Sequence, residues 1–304
     1  MKPNSRSATA LSAISVAGAA TASVTILAWR GAFPEPLLAP VFNGALAEAR
    51  GWSAVTLAVV LPLFAISLAA ARHGSLRGRL AWLGALAYLV YTYLELAVSP
   101  PFTALYLVYI ATFASALAAL VMGVFSIDVE ELAWAVGPRM PRRTIAGFGL
   151  ASGVLLSLAW LKDILARTIA GNFGWPGGEA AIGHVVQALD LGLQVPLGLA
   201  AGLLLARRRQ AGTIVAAIML VNALCMGTAL TAMVVASALG SGRSVLPAAP
   251  FALVPLVALV LAILFFRAIR PIGNVHRHLS IHARPRGRRL HTGEPLVRWN
   301  LWSQ

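Results

Sequence analysis

Apolar residues in this chain gather into eight runs, each about the ~20 residues that a helix needs to cross ~30 Å of hydrocarbon. The runs cover residues 8–29, 52–72, 80–98, 102–126, 144–161, 182–206, 212–239 and 248–267. They predict an all-α fold, a polytopic transmembrane bundle of about eight spans over residues 1–270, followed by a tail at 271–304. The first run follows Lys2 and Arg6, as the apolar part of a signal peptide would. It is longer than the roughly 7–15 residues usual there and lacks a good cleavage signal, so it is read as an uncleaved first helix.

Polar residues interrupt the sixth run in a way that organises the rest. His184, Gln187, Asp190 and Gln194 fall within roughly a third of a helix circumference at ~100° per residue. Asp190 lies about 12 Å below the nearer end of its helix at ~1.5 Å per residue, too deep for so short a side chain to reach the surface. A charge at mid-depth costs about 2.5–3.5 kcal/mol on insertion scales, so Asp190 must face other helices or a wet cavity. Two readings stand: a functional group, or interhelical hydrogen bonding through Gln187, Gln194 or Asn222. His184, less than two turns away, is spaced to pass Asp190 a proton. Pro196 cannot donate to the carbonyl of Gly192 and predicts a kink. Gly198, Ala201 and Gly202 beyond it permit close packing against a neighbour.

All five tyrosines fall between residues 88 and 109, on the third and fourth spans. A hairpin containing Pro100-Pro101 joins these spans. Tyr106 suits the interfacial belt. Tyr88 and Tyr91 lie deeper, where their hydroxyls need partners; belt or ordinary packing is one reading, and lining a polar seam that faces the Asp190 helix is the other. Glu95, one turn beyond Tyr91 and about 5 Å from the helix end, can reach head-group water. The candidate ligand-binding set is therefore Asp190, Gln187, Gln194, His184, Tyr88, Tyr91, Glu95 and Asn222.

The connections carry the orientation. With the N-terminus inside, nineteen basic residues fall on inner segments and five (Arg30, Arg50, Lys162, Arg167 and Arg243) on outer ones. This is the asymmetry of the positive-inside rule for an even number of spans. Long outer loops at 30–51 and 162–181 follow spans 1 and 5, and short ones near 99–101 and 240–247 join spans 3–4 and 7–8. Residues 1–143 and 144–304 thus share one layout, as two four-helix halves in parallel repeat would. The inner loop 126–143 reads as a short interfacial helix capped by Asp128 or Ser126, with acids in its first turn and Gly137-Pro138 ending it.

Composition agrees and narrows the chemistry. The chain is 59% apolar and 11% charged, with a mean hydropathy of +0.80, against about 25% charged residues in soluble domains. Its pI of about 11.5 follows from the inner arginines and needs no nucleic-acid partner. The tail at 271–304 has too little apolar surface to fold alone, and its arginines suit anionic inner-leaflet lipid. His276, His278 and His282 lack the cysteines and acids of a metal site, so no metal and no cofactor is expected. No GxxxxGK[ST] or HExxH motif is present, and the only lysines are Lys2 and Lys162, which excludes a retinal Schiff base in a late span. Ser152 in GLASG has no histidine near it in sequence.

Two stretches, 87–120 and 185–233, resemble a family of uncharacterised bacterial multi-spanning membrane proteins. The resemblance rests on Tyr91-x-Tyr93, Leu105-Tyr106 with Tyr109, and Leu189-Asp190-Leu191 followed by Pro196 and the arginine turn. It implies a membrane protein, draws attention to Asp190 and the tyrosines, and supplies no substrate. Ser99-Pro100-Pro101 stands where that family carries an asparagine-containing turn.

The expected protein is a multi-pass inner-membrane protein with both ends cytoplasmic. It is expected to bind or transport a small or lipid-like molecule through an outward-facing polar pocket between spans 3, 4, 6 and 7. A membrane-embedded enzyme using Asp190, His184 and Glu95 as acid and base is the alternative. A non-catalytic partner subunit or sensor, with protein partners unknown, is a third.

Overall fold

The computed structural model describes residues 4–28, 39–99, 104–172 and 179–270. The tail at 271–304 with its histidines, Arg30 and the Pro100-Pro101 turn lie outside the described residues. Helix α1 covers Asn4–Ala28. α2 (Ala39–Val55) passes through a five-residue π-helical segment, Thr56–Val60, into α3 (Leu61–Arg72), making one second span. α4 (Leu76–Val98) and α5 (Tyr106–Phe125) follow, then the short α6 (Val129–Ala135) and the long α7 (Arg142–Ile169). α8 (Glu179–Leu189), a second π segment (Asp190–Gln194) and α9 (Val195–Ala206) form the sixth span. α10 (Gln210–Gly240) and α11 (Ala249–Ala268) complete the bundle. Among the described residues eight helical spans are long and apolar enough to cross a membrane.

The apolar runs mark where hydrocarbon would lie, and two helices outrun them. α2 begins at Ala39 and α7 continues through Lys162 to Ile169, so much of the two expected long loops is helix. Backbone hydrogen bonding does not stop at the hydrocarbon edge, and residues such as Lys162, Asp163 and Arg167 are tolerated in a helix once it leaves the lipid.

Burial ranks the helices. In α4 and α10, 56% and 67% of the apolar window is buried, against 22–33% in the other six spans. Those two are the centre of the bundle, crossing where Gly84 lets Val221 and Ile218 approach. Around them the outer helices expose apolar side chains such as Leu155, Leu158, Leu253 and Leu256, the surface that lipid covers.

The two halves repeat in register over their central hairpins, at an offset of 134 residues. The π segments Thr56–Val60 and Asp190–Gln194 correspond, each closed by a bond from the fifth residue on: Leu61 N–H to Thr56 O, and Val195 N–H to Asp190 O. Each is followed by a proline, Pro62 or Pro196, and by a twelve-residue helix. Pro196 therefore brings with it a π turn rather than a simple kink; the wider turn takes up the residue that has no N–H to donate. Both helices end in the same tight turn, with Gly74 (φ 84°) matched by Arg208 (φ 56°). Ser75 N–H bonds Ala70 O just as Arg209 N–H bonds Leu204 O. Gly78 and Gly212 then admit the preceding helix at close range.

Where the halves differ is at their outer seams. α1 packs along α5 over its length, with the hydroxyls of Ser15 and Ser115 3.0 Å apart in the interface. The corresponding helices of the second half, α7 and α11, make no extended contact. α7 packs instead on α9 through small residues: a side chain at Gly198 would meet Gly149 O at 2.9 Å, and Gly153 and Gly202 extend the contact. Glycines four apart on facing helices bring the backbones this close.

At the arginine-bearing end, α6 forms as its sequence predicts. Asp128 accepts from the N–H groups of Glu130 (2.9 Å) and Glu131 (3.2 Å), the N-cap arrangement. Leu132 is fully buried while Trp134 is exposed, and Glu131 pairs with Arg79 at 2.9 Å. The chain leaving α11 then pairs with the chain leaving α6. Gly137 N–H donates to Ala268 O (2.9 Å), Arg270 N–H donates to Ala135 O (2.8 Å), and Arg77 donates to Ile269 O.

Candidate functional site

Asp190 opens the π segment of the sixth span, and both of its carboxylate oxygens are held. The Tyr91 hydroxyl of α4 donates to Oδ1 at 2.6 Å, and the Trp160 indole N–H of α7 donates to Oδ2 at 2.8 Å. Three helices thus meet on one side chain, and the polar faces of spans 3 and 6 touch. π turns widen a helix by one residue and recur at functional positions. A turn further along, Gln194 Oε1 accepts from the Asn222 amide of α10 at 2.8 Å. Asn222 is 3% exposed, and its own carbonyl oxygen has no hydrogen-bond partner.

These groups stand in the wall of a cavity of about 860 Å³. It is bounded by α4, α7, the sixth span, α10 and α11, with Trp52 of α2 at one edge. Tyr91, Glu95, Asp190, Gln194 and Asn222 are among its polar groups, and apolar side chains form most of the lining. Met219, Met226 and Met233 recur every seven residues along the α10 wall, about 21 Å of helix at ~1.5 Å per residue. At the rim Lys162 pairs with Asp163 at 3.7 Å, both largely in the open. α7 and α11 both line the cavity and make no extended contact with each other.

A second cavity, of about 370 Å³, lies toward the arginine-bearing end between α4, α5, the sixth span and α10. These are the spans 3, 4, 6 and 7 between which the sequence places the pocket; the large cavity uses none of α5. The smaller one is almost wholly apolar. The two share Tyr91, Gln194, Leu197 and Asn222, so a single layer of side chains separates them.

Six of the eight candidate residues line the large cavity: Tyr88, Tyr91, Glu95, Asp190, Gln194 and Asn222. Glu95 has no side-chain hydrogen bond among the described residues. Tyr88 turns its hydroxyl away from the sixth span, to Thr56 of the second at 2.8 Å. His184 and Gln187 stand outside the lining. His184 Nδ1 is 3.2 Å from Gln187 Oε1, and its Nε2 lies 3.4 Å from Arg167. Since arginine only donates, Nε2 accepts there and Nδ1 carries the proton to Gln187. Tyr93 is a packing residue, set edge-on to Trp52 with its hydroxyl on Ala19 O at 3.2 Å.

Sequence reasoning missed Trp160 and the methionine row. Trp160, near the end of an apolar run, reads as an interfacial aromatic, and nothing in its neighbours marks it as a carboxylate's partner. The methionine spacing of seven was visible in the sequence, but it says nothing of what it faces. Among the described residues no group of three His, Cys, Asp or Glu side chains could hold a metal ion.

Fold and site together define a multi-pass helical membrane protein with a largely apolar internal cavity that carries a few polar groups. No family model, curated protein or solved structure matches the chain.

Proposed function

We propose that this protein binds a small, lipid-like molecule and carries it between the bilayer and the large cavity. The observation that carries the reading is the Tyr91–Asp190–Trp160 clasp standing in the wall of a largely apolar cavity whose bordering helices α7 and α11 make no extended contact, which would leave a path to lipid between them. A membrane-soluble molecule with one polar end fits such a space. Its body replaces lipid against the methionines, and its head meets Asp190 and the polar groups beside it. Binding pockets of this kind run to about 300–1,000 Å³ with a few placed polar groups. The charge distribution supports an inner-membrane, bacterial setting with both ends cytoplasmic, which turns the cavity rim at Lys162 outward. The basic tail would lie on anionic inner-leaflet lipid. The enzyme reading is weaker because His184, its proton carrier, stands outside the cavity.

Mass spectrometry of what co-purifies with the detergent-solubilised protein tests this, wild type beside Asp190→Asn. A molecule retained by the wild type and missing from the variant is the expected result. The same lipid background in both would remove the binding reading and leave Asp190 as an interhelical hydrogen bond.

A further inference from the structure

The polar wall has a sign. Two carboxyl side chains, Glu95 and Asp190, face the interior of the large cavity. Among the described residues lining it Lys162 is the one basic residue, and it lies at the exposed rim, 3.7 Å from Asp163. Asp190 oxygens each hold one donor and keep a lone pair for another. Glu95 has no side-chain partner among the described residues. Asn222, all but fully buried, gives its N–H to Gln194 and leaves its carbonyl oxygen unpaired in a layer that borders both cavities. A buried acceptor without a donor costs about 1–3 kcal/mol, and a ligand N–H removes that cost.

Three groups facing this space, the Glu95 and Asp190 carboxyls and the Asn222 carbonyl, are acceptors with capacity to spare, and two ring residues beside them add to the preference. Tyr91 and Trp160 line the cavity beside Asp190, and their faces attract a cation by about 0.5–2 kcal/mol, more strongly as water is excluded. Methionine walls accept apolar groups of varied shape, because the side chain is unbranched and its sulfur polarisable. An anion would meet two carboxyls in the interior, with Lys162 out at the exposed rim.

We propose that the ligand is an organic cation, an amine or quaternary ammonium carried on an apolar body. The positive group sits between Glu95 and Asp190, and the body lies along Met219, Met226 and Met233. This rests on the binding reading above and narrows it to one charge class.

The test compares two probes of the same shape and opposite charge, tetraphenylphosphonium and tetraphenylborate. Each is titrated onto the purified full-length protein in detergent, with protein-free micelles as the blank. Tetraphenylphosphonium is expected to bind at least tenfold more tightly than tetraphenylborate. Glu95→Gln with Asp190→Asn, checked for an unchanged melting profile, is expected to erase that difference. Equal affinity for both ions in the wild type, which needs no variant, overturns the proposal, as does a preference that survives the double substitution in a folded protein. A neutral or anionic lipid that co-purifies in an Asp190-dependent way, with no phosphonium binding, overturns the cation and keeps the binding site. Neither ion binding, with no Asp190-dependent ligand, overturns both.

Discussion

The Tyr91 hydroxyl donates a 2.6 Å hydrogen bond to Asp190 Oδ1, joining helices whose residues lie 99 apart in the chain. It ties α4, at the centre of the bundle, to the π turn of the sixth span. Tyr91→Phe removes only the hydroxyl. It is expected to lower stability by about 1 kcal/mol, the usual scale for a hydrogen bond between membrane helices. Trp160→Phe should do the same through Oδ2. A double-mutant cycle with Asp190→Asn, read by thermal unfolding in detergent, checks that both effects run through the carboxylate: each should shrink in the Asp190→Asn background.

Gly149 and Gly147 make a matched pair on α7. A methyl at Gly149 would meet Gly198 O at 2.8 Å, while one at Gly147 would meet nothing within 4 Å. Gly149→Ala should destabilise by about 1–3 kcal/mol through overpacking. Gly147→Ala should be neutral or gain roughly 0.5–1 kcal/mol from the lower backbone entropy of alanine. Denaturation midpoints of the two variants that moved together would contradict the close seam between α7 and α9.

The two inter-helix turns of the repeat make opposite demands. Gly74 has the left-handed conformation with open space around it, so Gly74→Ala should cost about 1 kcal/mol from φ alone. Arg208 holds the same region of backbone with a side chain attached, and Arg208→Gly should be stabilising or neutral. The same melting assay reads both.

The seams can be locked separately. In a Cys225→Ala background, cysteines at Ser15 and Ser115, whose hydroxyls are 3.0 Å apart, should cross-link and leave ligand retention unchanged. Bridging α7 to α11 with a bifunctional reagent, between cysteines placed at Leu155 and Val254 on the cavity wall, should abolish exchange of ligand with the bilayer. Exchange that continued at the same rate would show that molecules reach the cavity by another route.

Much of this architecture could be read before any coordinates. Eight spans follow from lipid's demand for ~20 apolar residues, and Asp190 with Tyr91 stood out because buried polar groups need partners. The capped α6 followed from Asp128 and the acids after it. The helix extensions did not show, because polar residues past the hydrocarbon edge look the same in a helix as in a loop. Pro196 announced a broken ladder, but a proline does not say whether the helix bends or widens. Trp160 and α11 escaped because a lipid-facing apolar residue and a cavity-facing one are chemically alike. Which side an apolar position faces is decided by the seam between α7 and α11, and a seam that does not close leaves no mark in either helix.

A chain whose two halves share one layout carries two copies of every joint, and the load can fall on one of them. Here the 134-residue register survives in the hairpins that hold the middle together. The first copy's outer joint is shut, with Ser15 and Ser115 in contact, and the second stands open beside the cavity where Asp190 lies half-buried. One copy can hold the bundle together while the residues lining the other change without the whole coming undone.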